Sequence, residues 1–249
     1  HGREHSFPTR RSSDLDFDVE VPISFAPPIT ITLPVKARGD SRPLLAEAQQ
    51  VISAAAGRLV LGGGHYRANG DLDISGLMLD QRDRQNNAYA YGYLGRPAGM
   101  QWTLGLAMDA VDADVVDKTR WSPKLGLVWA LDARTTLRAA ALRAVHRELI
   151  GKGTIEPVQV AGFVQFFDDV IGTRSDRYAL GLDRRLLDGL DVGGEASWRR
   201  LETPYLAFPN TREVSQDRQQ LHRLYGYWTP AARWALRADA GCPAVAGRD

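Results

Sequence analysis

Alternation of apolar and polar residues is the dominant pattern along this chain. It recurs over residues 101–109, 122–131, 177–186 and 190–200. A period of two residues is that of a β-strand, whose side chains point alternately to its two faces. A helix would need an apolar stripe at a spacing of three and four residues, which these segments lack. The apolar positions in the first of them are Trp102, Leu104, Leu106 and Met108.

The length of the alternating segments separates two kinds of β protein. A soluble sandwich and a membrane barrel both alternate, because each has one apolar and one polar face. Several segments run for about 10 residues, close to the roughly 9–11 that cross a bilayer at a tilt. Strands of globular proteins average only about 5 or 6 residues. The lengths favour the membrane barrel, and a soluble β-sandwich used for binding remains the alternative.

The connections between the predicted strands alternate between short and long. Outer-membrane barrels show this pattern because their periplasmic turns are tight and their external loops are long. An additional strand pair is predicted over residues 16–25 and 29–36, which brings the total to roughly 10–12 strands, a partial barrel. We therefore predict an all-β, antiparallel, up-and-down transmembrane β-barrel. The short links are residues 54–57, 96–99, 132–133, 188–189 and 229–232, and the long links are residues 68–86, 110–119, 146–173 and 202–217.

Composition adds mainly exclusions. The formal net charge of the 249 residues is +1, which gives no reason to expect a nucleic-acid partner. No window approaches the ~20 consecutive apolar residues of a membrane helix. Cys242 is the single cysteine, so an internal disulfide framework and a multi-cysteine zinc site are excluded.

Both ends of the chain depart from the alternating pattern. Residues 6–15, SFPTRRSSDL, resemble translated sequencing-adapter DNA, and a native basic arm is the alternative. We expect residues 1–15 to be a non-native segment, residues 16–240 to form the barrel fragment, and residues 241–249 to be a disordered, truncated or frame-shifted tail. The chain is accordingly expected to be a piece of a longer protein.

Four short motifs carry a resemblance to known outer-membrane proteins. They are WSPKLGLVW at residues 121–129, TTLRAAALR at 135–143, IEPVQVAGFVQFFDD at 155–169 and YGYWTP at 225–230. Residues 42–240 resemble the C-terminal barrels of TonB-dependent-receptor-like proteins, and also barrels that follow tetratricopeptide repeats. The first resemblance implies solute transport across the outer membrane of a Gram-negative bacterium. The second implies export or assembly of an envelope polymer.

The same resemblance implies particular partners. These are outer-membrane lipid, the barrel-insertion machinery and, as a further candidate, an energy-coupling periplasmic protein. No enzyme is expected, because the sequence contains no nucleophile elbow, catalytic triad or nucleotide fingerprint. Gly62, Gly63 and Gly64 precede His65 without the lysine and helix of a phosphate-binding loop. His65, His146 and His222 are isolated from one another, so neither a metal nor a cofactor is expected.

An aromatic and acidic cluster lies in the longest predicted link. Paired carboxylates there could bind calcium or act in acid–base catalysis. The favoured interpretation is a solvated loop with an aromatic plug resting on the barrel wall. As a hypothesis, it is also the element that contacts a ligand, because loops carry recognition in such folds. The residues are Phe163, Phe166, Phe167, Asp168 and Asp169.

A second candidate group is a set of charged residues predicted to face the lumen from one hairpin. It either selects a permeant by its field or forms a ladder of mutually neutralising cross-strand pairs. The mixed signs favour the ladder. The members are Arg177, Asp183, Arg185, Asp191, Glu195 and Arg199.

Aromatic residues suggest where the membrane interfaces lie. Three tyrosines share one predicted strand face, and several tryptophans lie near predicted strand ends. This placement is typical of an interfacial aromatic girdle, while core aromatics of a soluble sheet are the alternative. The residues are Tyr89, Tyr91, Tyr93, Trp102, Trp121, Trp228 and Trp234.

Overall fold

Strands joined by turns, with one long connection, make up the described part of the chain. The computed structural model describes residues 13–24, 30–74, 77–96, 99–113, 116–149, 153–165, 169–207 and 211–246. In chain order the strands are β1 (Ser13–Ser24), β2 (Thr30–Ala54), β3 (Gly57–Ile74), β4 (Leu77–Arg96), β5 (Met100–Ala113), β6 (Val116–Ala130), β7 (Thr135–Val145), β8 (Gln159–Val160), β9 (Phe163–Val164), β10 (Arg174–Leu187), β11 (Leu190–Ala207), β12 (Thr211–Ala231) and β13 (Trp234–Ala246).

Eleven of these strands form one sheet. Its order is β1-β2-β3-β4-β5-β6-β7-β10-β11-β12-β13, and every strand is antiparallel to its neighbours. The predicted all-β, up-and-down partial barrel is confirmed. The described strands do not form the two facing sheets of a soluble sandwich. Their only other sheet is the short pairing of β8 with β9, two residues in each strand. The described residues contain no helix long and apolar enough to cross a membrane.

The β2–β3 and β10–β11 turns lie where the sequence predicts them, whereas residues 229–231 of the predicted link at 229–232 belong to β12. Residues 97–98 of the predicted link at 96–99 lie outside the described residues. β2 ends at Ala54 and β3 begins at Gly57, and the β10–β11 turn is the pair Asp188 and Gly189. Gly189 has a φ of 78°, a left-handed conformation that glycine adopts without steric cost. Its added Cβ would also lie 2.8 Å from the carbonyl oxygen of Thr229, so the turn has no room for a side chain.

The β6–β7 turn is stabilised by its own aspartate. The backbone N–H of Arg134 donates to Oδ1 of Asp132 at 2.7 Å, the local bond that makes aspartate frequent in turns. That bond to the ionised form holds the pKa of Asp132 below its ordinary value.

At the opposite end of the sheet the strands run further than predicted. Most of the predicted long links at 68–86, 110–119 and 202–217 are paired strand, as the bounds of β3 to β6, β11 and β12 show. The strands remain hydrogen-bonded to each other in these regions, but they have no continuous apolar face. The alternation of apolar and polar residues by which the sequence reveals a strand is therefore missing. Residues 13–15 and 241–246, expected to lie outside the barrel, also belong to β1 and β13.

The sheet exposes its apolar face and covers its polar one. On β10, Tyr178 and Leu180 are 62% and 52% exposed, whereas Ser175 and Arg177 are 4% and 3% exposed. A protein folded in water has the reverse arrangement. A membrane barrel has this one, because its outer surface meets lipid. Cross-strand register extends the apolar outer row over seven strands, through Ile52, Leu59, Gly92, Leu104, Leu125, Ala141 and Tyr178.

Of the residues predicted to form an aromatic girdle, three tryptophans are exposed and Trp102 is partly exposed, whereas all three tyrosines lie on the inner face, with Tyr93 packed against the buried cluster. Trp121, Trp228 and Trp234 are 57%, 46% and 68% exposed. Tyr89 and Tyr91 are 5% and 0% exposed and belong to the buried cluster on the inner face. The sequence shows that these tyrosines share a face but not which face it is.

Candidate functional site on the inner face

The connection between β7 and β10 folds back against the inner face of the sheet. We call residues 146–173 the inner segment, of which 146–149, 153–165 and 169–173 are described. The backbone N–H of His146 donates to the carbonyl of Thr173 at 2.8 Å, and that of Gly172 donates to the carbonyl of His146 at 2.9 Å. These bonds hold the two ends of the segment next to each other, where β7 ends and β10 begins. Its middle, including β8 and β9, lies over the wall.

Small residues of the wall let the inner segment approach closely. A Cβ added to Gly126 of β6 would lie 2.8 Å from Cγ1 of Val160 and 3.0 Å from Cβ of Ala161. Val160 is 0% exposed and Phe163 is 1% exposed. The phenyl ring of Phe163 lies 4.8 Å from the guanidinium carbon of Arg138 and 5.6 Å from that of Arg177. Cations over the ring give this contact an electrostatic as well as an apolar component.

A buried charge cluster joins the inner segment to β5 and β6. It consists of Asp109, Lys124, Arg147 and Glu156. Nε of Arg147 lies 3.2 Å from Oδ1 of Asp109, and Nη2 of the same guanidinium contacts Oε2 of Glu156. Nζ of Lys124 lies 3.9 Å from Oε1 of Glu156, and the side chains of both residues are 1% exposed. Two positive and two negative charges balance, which makes their burial tolerable.

Neutral polar side chains also donate hydrogen bonds to the carboxylate of Glu156. The hydroxyl of Tyr91 donates to Oε1 of Glu156 at 2.7 Å, and Nδ2 of Asn87 donates to Oε2 at 3.3 Å. Nε2 of Gln165 donates to the Tyr91 hydroxyl at 2.9 Å. Ser122 donates to Asp109 at 3.2 Å. The inner segment is therefore held by a connected polar network.

A separate anchor lies on β2. The carboxylate of Glu47 accepts from the hydroxyl of Thr154 at 2.5 Å and from the backbone N–H of Ile155 at 3.1 Å. Nε2 of Gln49 donates to the carbonyl of Ile155 at 2.5 Å. The inner segment thus spans the wall from β2 to β11.

The two groups of residues singled out in the sequence lie in contact with each other. Nη2 of Arg199 lies 2.6 Å from Oδ2 of Asp169, and Nη1 of Arg177 donates to the carbonyl of Val164 at 2.6 Å. Phe163 rests on the wall, as expected of the aromatic plug, although it is buried rather than solvated. Phe166, Phe167 and Asp168 lie outside the described residues.

The six charged residues of the β10–β11 hairpin lie on the inner face, but they neutralise one another only in part. Arg185 pairs directly with Asp191 across the strands at 3.1 Å. Arg177 and Arg199 instead lie opposite each other. Asp183 pairs with Arg138 of β7 at 2.6 Å, and Glu195 lies 4.0 Å from Arg138 and from Arg223 of β12. Neutralisation therefore also comes from neighbouring strands and from the inner segment.

The histidine and glycine motifs take structural positions. Nδ1 of His65 lies 2.8 Å from Oδ1 of Asn86, and a Cβ on Gly62 would lie 2.4 Å from the ring of Tyr89. Gly62 therefore leaves room for that tyrosine. The described residues hold no group of three or more histidine, cysteine, aspartate or glutamate residues that could bind a metal ion.

Comparison with solved structures bears on the fold. The chain is similar to the ferripyoverdine receptor of the outer membrane of Pseudomonas aeruginosa, with a TM-score of 0.62 and 11% identity over 93% of this chain and 37% of that chain. It is similar to the ferric preacinetobactin receptor BauA of Acinetobacter baumannii, with a TM-score of 0.60 and 13% identity over 86% of this chain and 38% of that chain. A third is the FrpB iron transporter of Neisseria meningitidis, with a TM-score of 0.58 and 11% identity over 86% of this chain and 37% of that chain.

The fold is that of an outer-membrane receptor barrel. The chain spans less than two fifths of the length of these three proteins. No protein-family model and no curated protein matches it. The shared fold and the exposed apolar outer face together place it in the Gram-negative outer membrane. The similarity supports the TonB-dependent-receptor-like resemblance and gives no support to the tetratricopeptide-repeat-linked one.

A valine at position 126 is expected to displace the inner segment. Its side chain would occupy the space that Val160 and Ala161 now fill, and overpacking of this kind costs about 1–3 kcal/mol. Gly226→Val is the control, since a Cβ at Gly226 meets nothing closer than 3.9 Å. Faster hydrogen exchange of residues 153–165 in Gly126→Val than in the control would confirm the contact. Equal exchange in the two variants would show that the segment does not press on β6.

Proposed function

We propose that this chain forms part of the wall of an outer-membrane transport or receptor protein that moves a solute across the outer membrane. The observation that carries the proposal is the polar inner face covered by an inward-folded segment. A wall that served only as an anchor would not need buried charges on its lumen side, where each desolvated charge is costly.

In this proposal the inner segment narrows the lumen and contacts the solute. It brings Phe163 and Asp169 to the same inner surface as Arg177 and Arg199. Rings of charged side chains and constrictions select solutes by field and size in membrane pores. The charged side chains of the inner face and the narrowed lumen would then both select the solute. The wall would hold the inner segment in its position.

The similar structures support a receptor-type importer as the finer form of the proposal. Those proteins are a ferripyoverdine receptor, a ferric preacinetobactin receptor and an iron transporter. An importer of this type would need an energy-coupling periplasmic partner as well as the insertion machinery and membrane lipid. Transport of a solute and the need for these partners are both part of the proposal.

Deletion of residues 151–170 from the complete protein that carries this chain tests the proposal. Ion conductance across planar bilayers is expected to rise about two-fold or more, because conductance follows the open cross-section of the pore. Solute binding is expected to fall. Replacing the β11–β12 connection, residues 208–210, with Gly-Ser-Gly is the control and should change neither. Unchanged conductance and unchanged solute binding after the deletion would refute a role for the inner segment in transport.

A further inference from the structure

The sheet has a gap next to the point where the inner segment leaves it. β6 begins at Val116 but pairs with β7 only from Lys124 onward, so residues 116–123 have no described strand beside them on that side. On the other side of the gap, β11 continues to Ala207, beyond Glu202, which pairs with the first residue of β10. We call this gap between β6 and β11, past the ends of β7 and β10, the notch.

A salt bridge crosses the notch. Nη1 of Arg120, on β6, lies 3.3 Å from Oε2 of Glu202, on β11. These two strands are three strand spacings apart in the sheet, about 14 Å. Arg120 pairs with Asp109 of the inner face, whereas Glu202 follows the buried Leu201 of the inner face and so has the opposite orientation. The two side chains meet through the notch, because β7 and β10 end at this level.

Glu202 also binds the residue at which the inner segment rejoins the sheet. Nη1 of Arg174 donates to Oε1 of Glu202 at 3.1 Å and to Oε2 at 3.2 Å, and Nη2 donates to Asp176 at 2.5 Å. Arg174 directly follows Thr173, whose carbonyl accepts from the backbone N–H of His146. The two ends of the inner segment are therefore bonded to each other, and Glu202 attaches them to β11. We call Arg120, Arg174 and Glu202 the latch.

The latch is more accessible to solvent than the buried charge cluster. Its three side chains are 21%, 22% and 21% exposed, whereas those of Lys124 and Glu156 in the cluster are 1% exposed. Dissolved salt screens charges that are open to water and screens buried pairs much less. Salt should therefore weaken the attachment of the ends of the inner segment and leave the attachment of its middle in place.

We propose that the latch regulates the inner segment, because it fixes both ends of the segment in the wall when closed and frees them when its ion pairs open. The inference rests on the proposed function, in which the inner segment narrows the lumen, and it adds the contact that controls this constriction. Glu202 is the positioning residue, since its carboxylate joins the two guanidinium groups. Without that carboxylate, Arg120 and Arg174 would repel each other across the notch.

Hydrogen exchange measured by mass spectrometry on the complete protein in detergent tests the latch. It is compared in about 0.1 M and about 1 M KCl, where the Debye length is about 10 Å and about 3 Å. Exchange of residues 146–149 and 169–173 is expected to be faster in the higher salt. Glu202→Gln should accelerate it about ten-fold in the lower salt, because hydrogen bonds to charged groups contribute strongly. The higher salt should then accelerate it no further.

Glu213→Gln is the control with the same charge change. Glu213 is exposed, and its carboxylate accepts from the hydroxyl of Tyr205 rather than from the latch. Exchange of residues 219–228 of β12 is the internal reference for folding and should be the same in both variants. Equal exchange of the segment ends in Glu202→Gln and Glu213→Gln would overturn the proposal. A salt dependence that persists in Glu202→Gln would overturn it as well.

A second variant tests whether Arg120 and Glu202 act through one contact. Arg120→Gln opens the bridge across the notch and leaves the pair of Glu202 with Arg174 in place. The double variant Arg120→Gln/Glu202→Gln is expected to exchange no faster than Glu202→Gln alone, because residues in direct contact are coupled. If the two single effects multiply in the double variant, the latch is not one unit and the proposal is wrong.

Ion conductance of the same variants separates the latch from the proposed function. Faster exchange together with higher conductance in Glu202→Gln would support both. Faster exchange with unchanged conductance would support the latch and contradict the narrowing of the lumen by the inner segment. Unchanged exchange of the segment ends would contradict the latch, whatever the conductance.

Discussion

Glu156→Gln is expected to loosen the inner segment. The substitution removes one of two negative charges and leaves Lys124 and Arg147 facing Asp109 alone. An uncompensated buried charge costs about 3–5 kcal/mol. Hydrogen exchange of residues 153–165 should accelerate by about 10²–10³, because each 1.4 kcal/mol corresponds to a factor of ten. Exchange measured by mass spectrometry on the protein in detergent gives this number.

Two controls separate the charge balance from the loss of a hydrogen bond. Lys124→Met/Glu156→Gln restores neutrality around the remaining Arg147–Asp109 pair, and it is expected to exchange more slowly than Glu156→Gln alone. Arg185→Gln breaks an ion pair whose side chains are 56% and 51% exposed, and such pairs contribute only about 0–1 kcal/mol. If the double variant exchanges as fast as Glu156→Gln, the charge-balance explanation is wrong.

Phe163→Ala is expected to have the second large effect. The ring is 1% exposed and contacts the guanidinium groups of Arg138 and Arg177, and truncation of a buried phenylalanine costs about 3–5 kcal/mol. The variant should make the inner segment sensitive to added protease at a much lower concentration than the unaltered protein. Val164→Ala is the matched control, because Val164 is the neighbouring residue of β9 and is 40% exposed. Equal protease sensitivity of the two variants would mean that the ring does not hold the segment.

Part of the inner-face site is visible in the sequence because strand parity alone determines it. Alternation places Arg177 and Arg199 on one face, and the register of β10 with β11 confirms that placement. The cluster of Phe163 and Asp169 marks the long connection. Alternation shows which residues share a face of the sheet, but not which other part of the chain packs against that face. The contacts of Phe163 with Arg138 and of Asp169 with Arg199 therefore could not be derived from the sequence.

The buried charge cluster was missed because its members come from separate elements. Asp109 and Lys124 belong to neighbouring strands, whereas Arg147 and Glu156 belong to the inner segment. One available signal was a lysine at position 124 on the small-residue face of a strand, which calls for a buried counter-charge. The partner that supplies that charge, Glu156, is 32 residues away in sequence and becomes a neighbour only when the segment folds inward.

The sequence by itself determined that the chain is a meander of long antiparallel strands with an apolar face suited to lipid. It could do so because strand periodicity and the short turns depend on neighbouring residues only. The tertiary structure decided where β3 to β6, β11 and β12 end, to which face Tyr91 belongs, and that residues 146–173 lie against the wall. These features depend on pairing and burial between distant parts of the chain, for which periodicity carries no information.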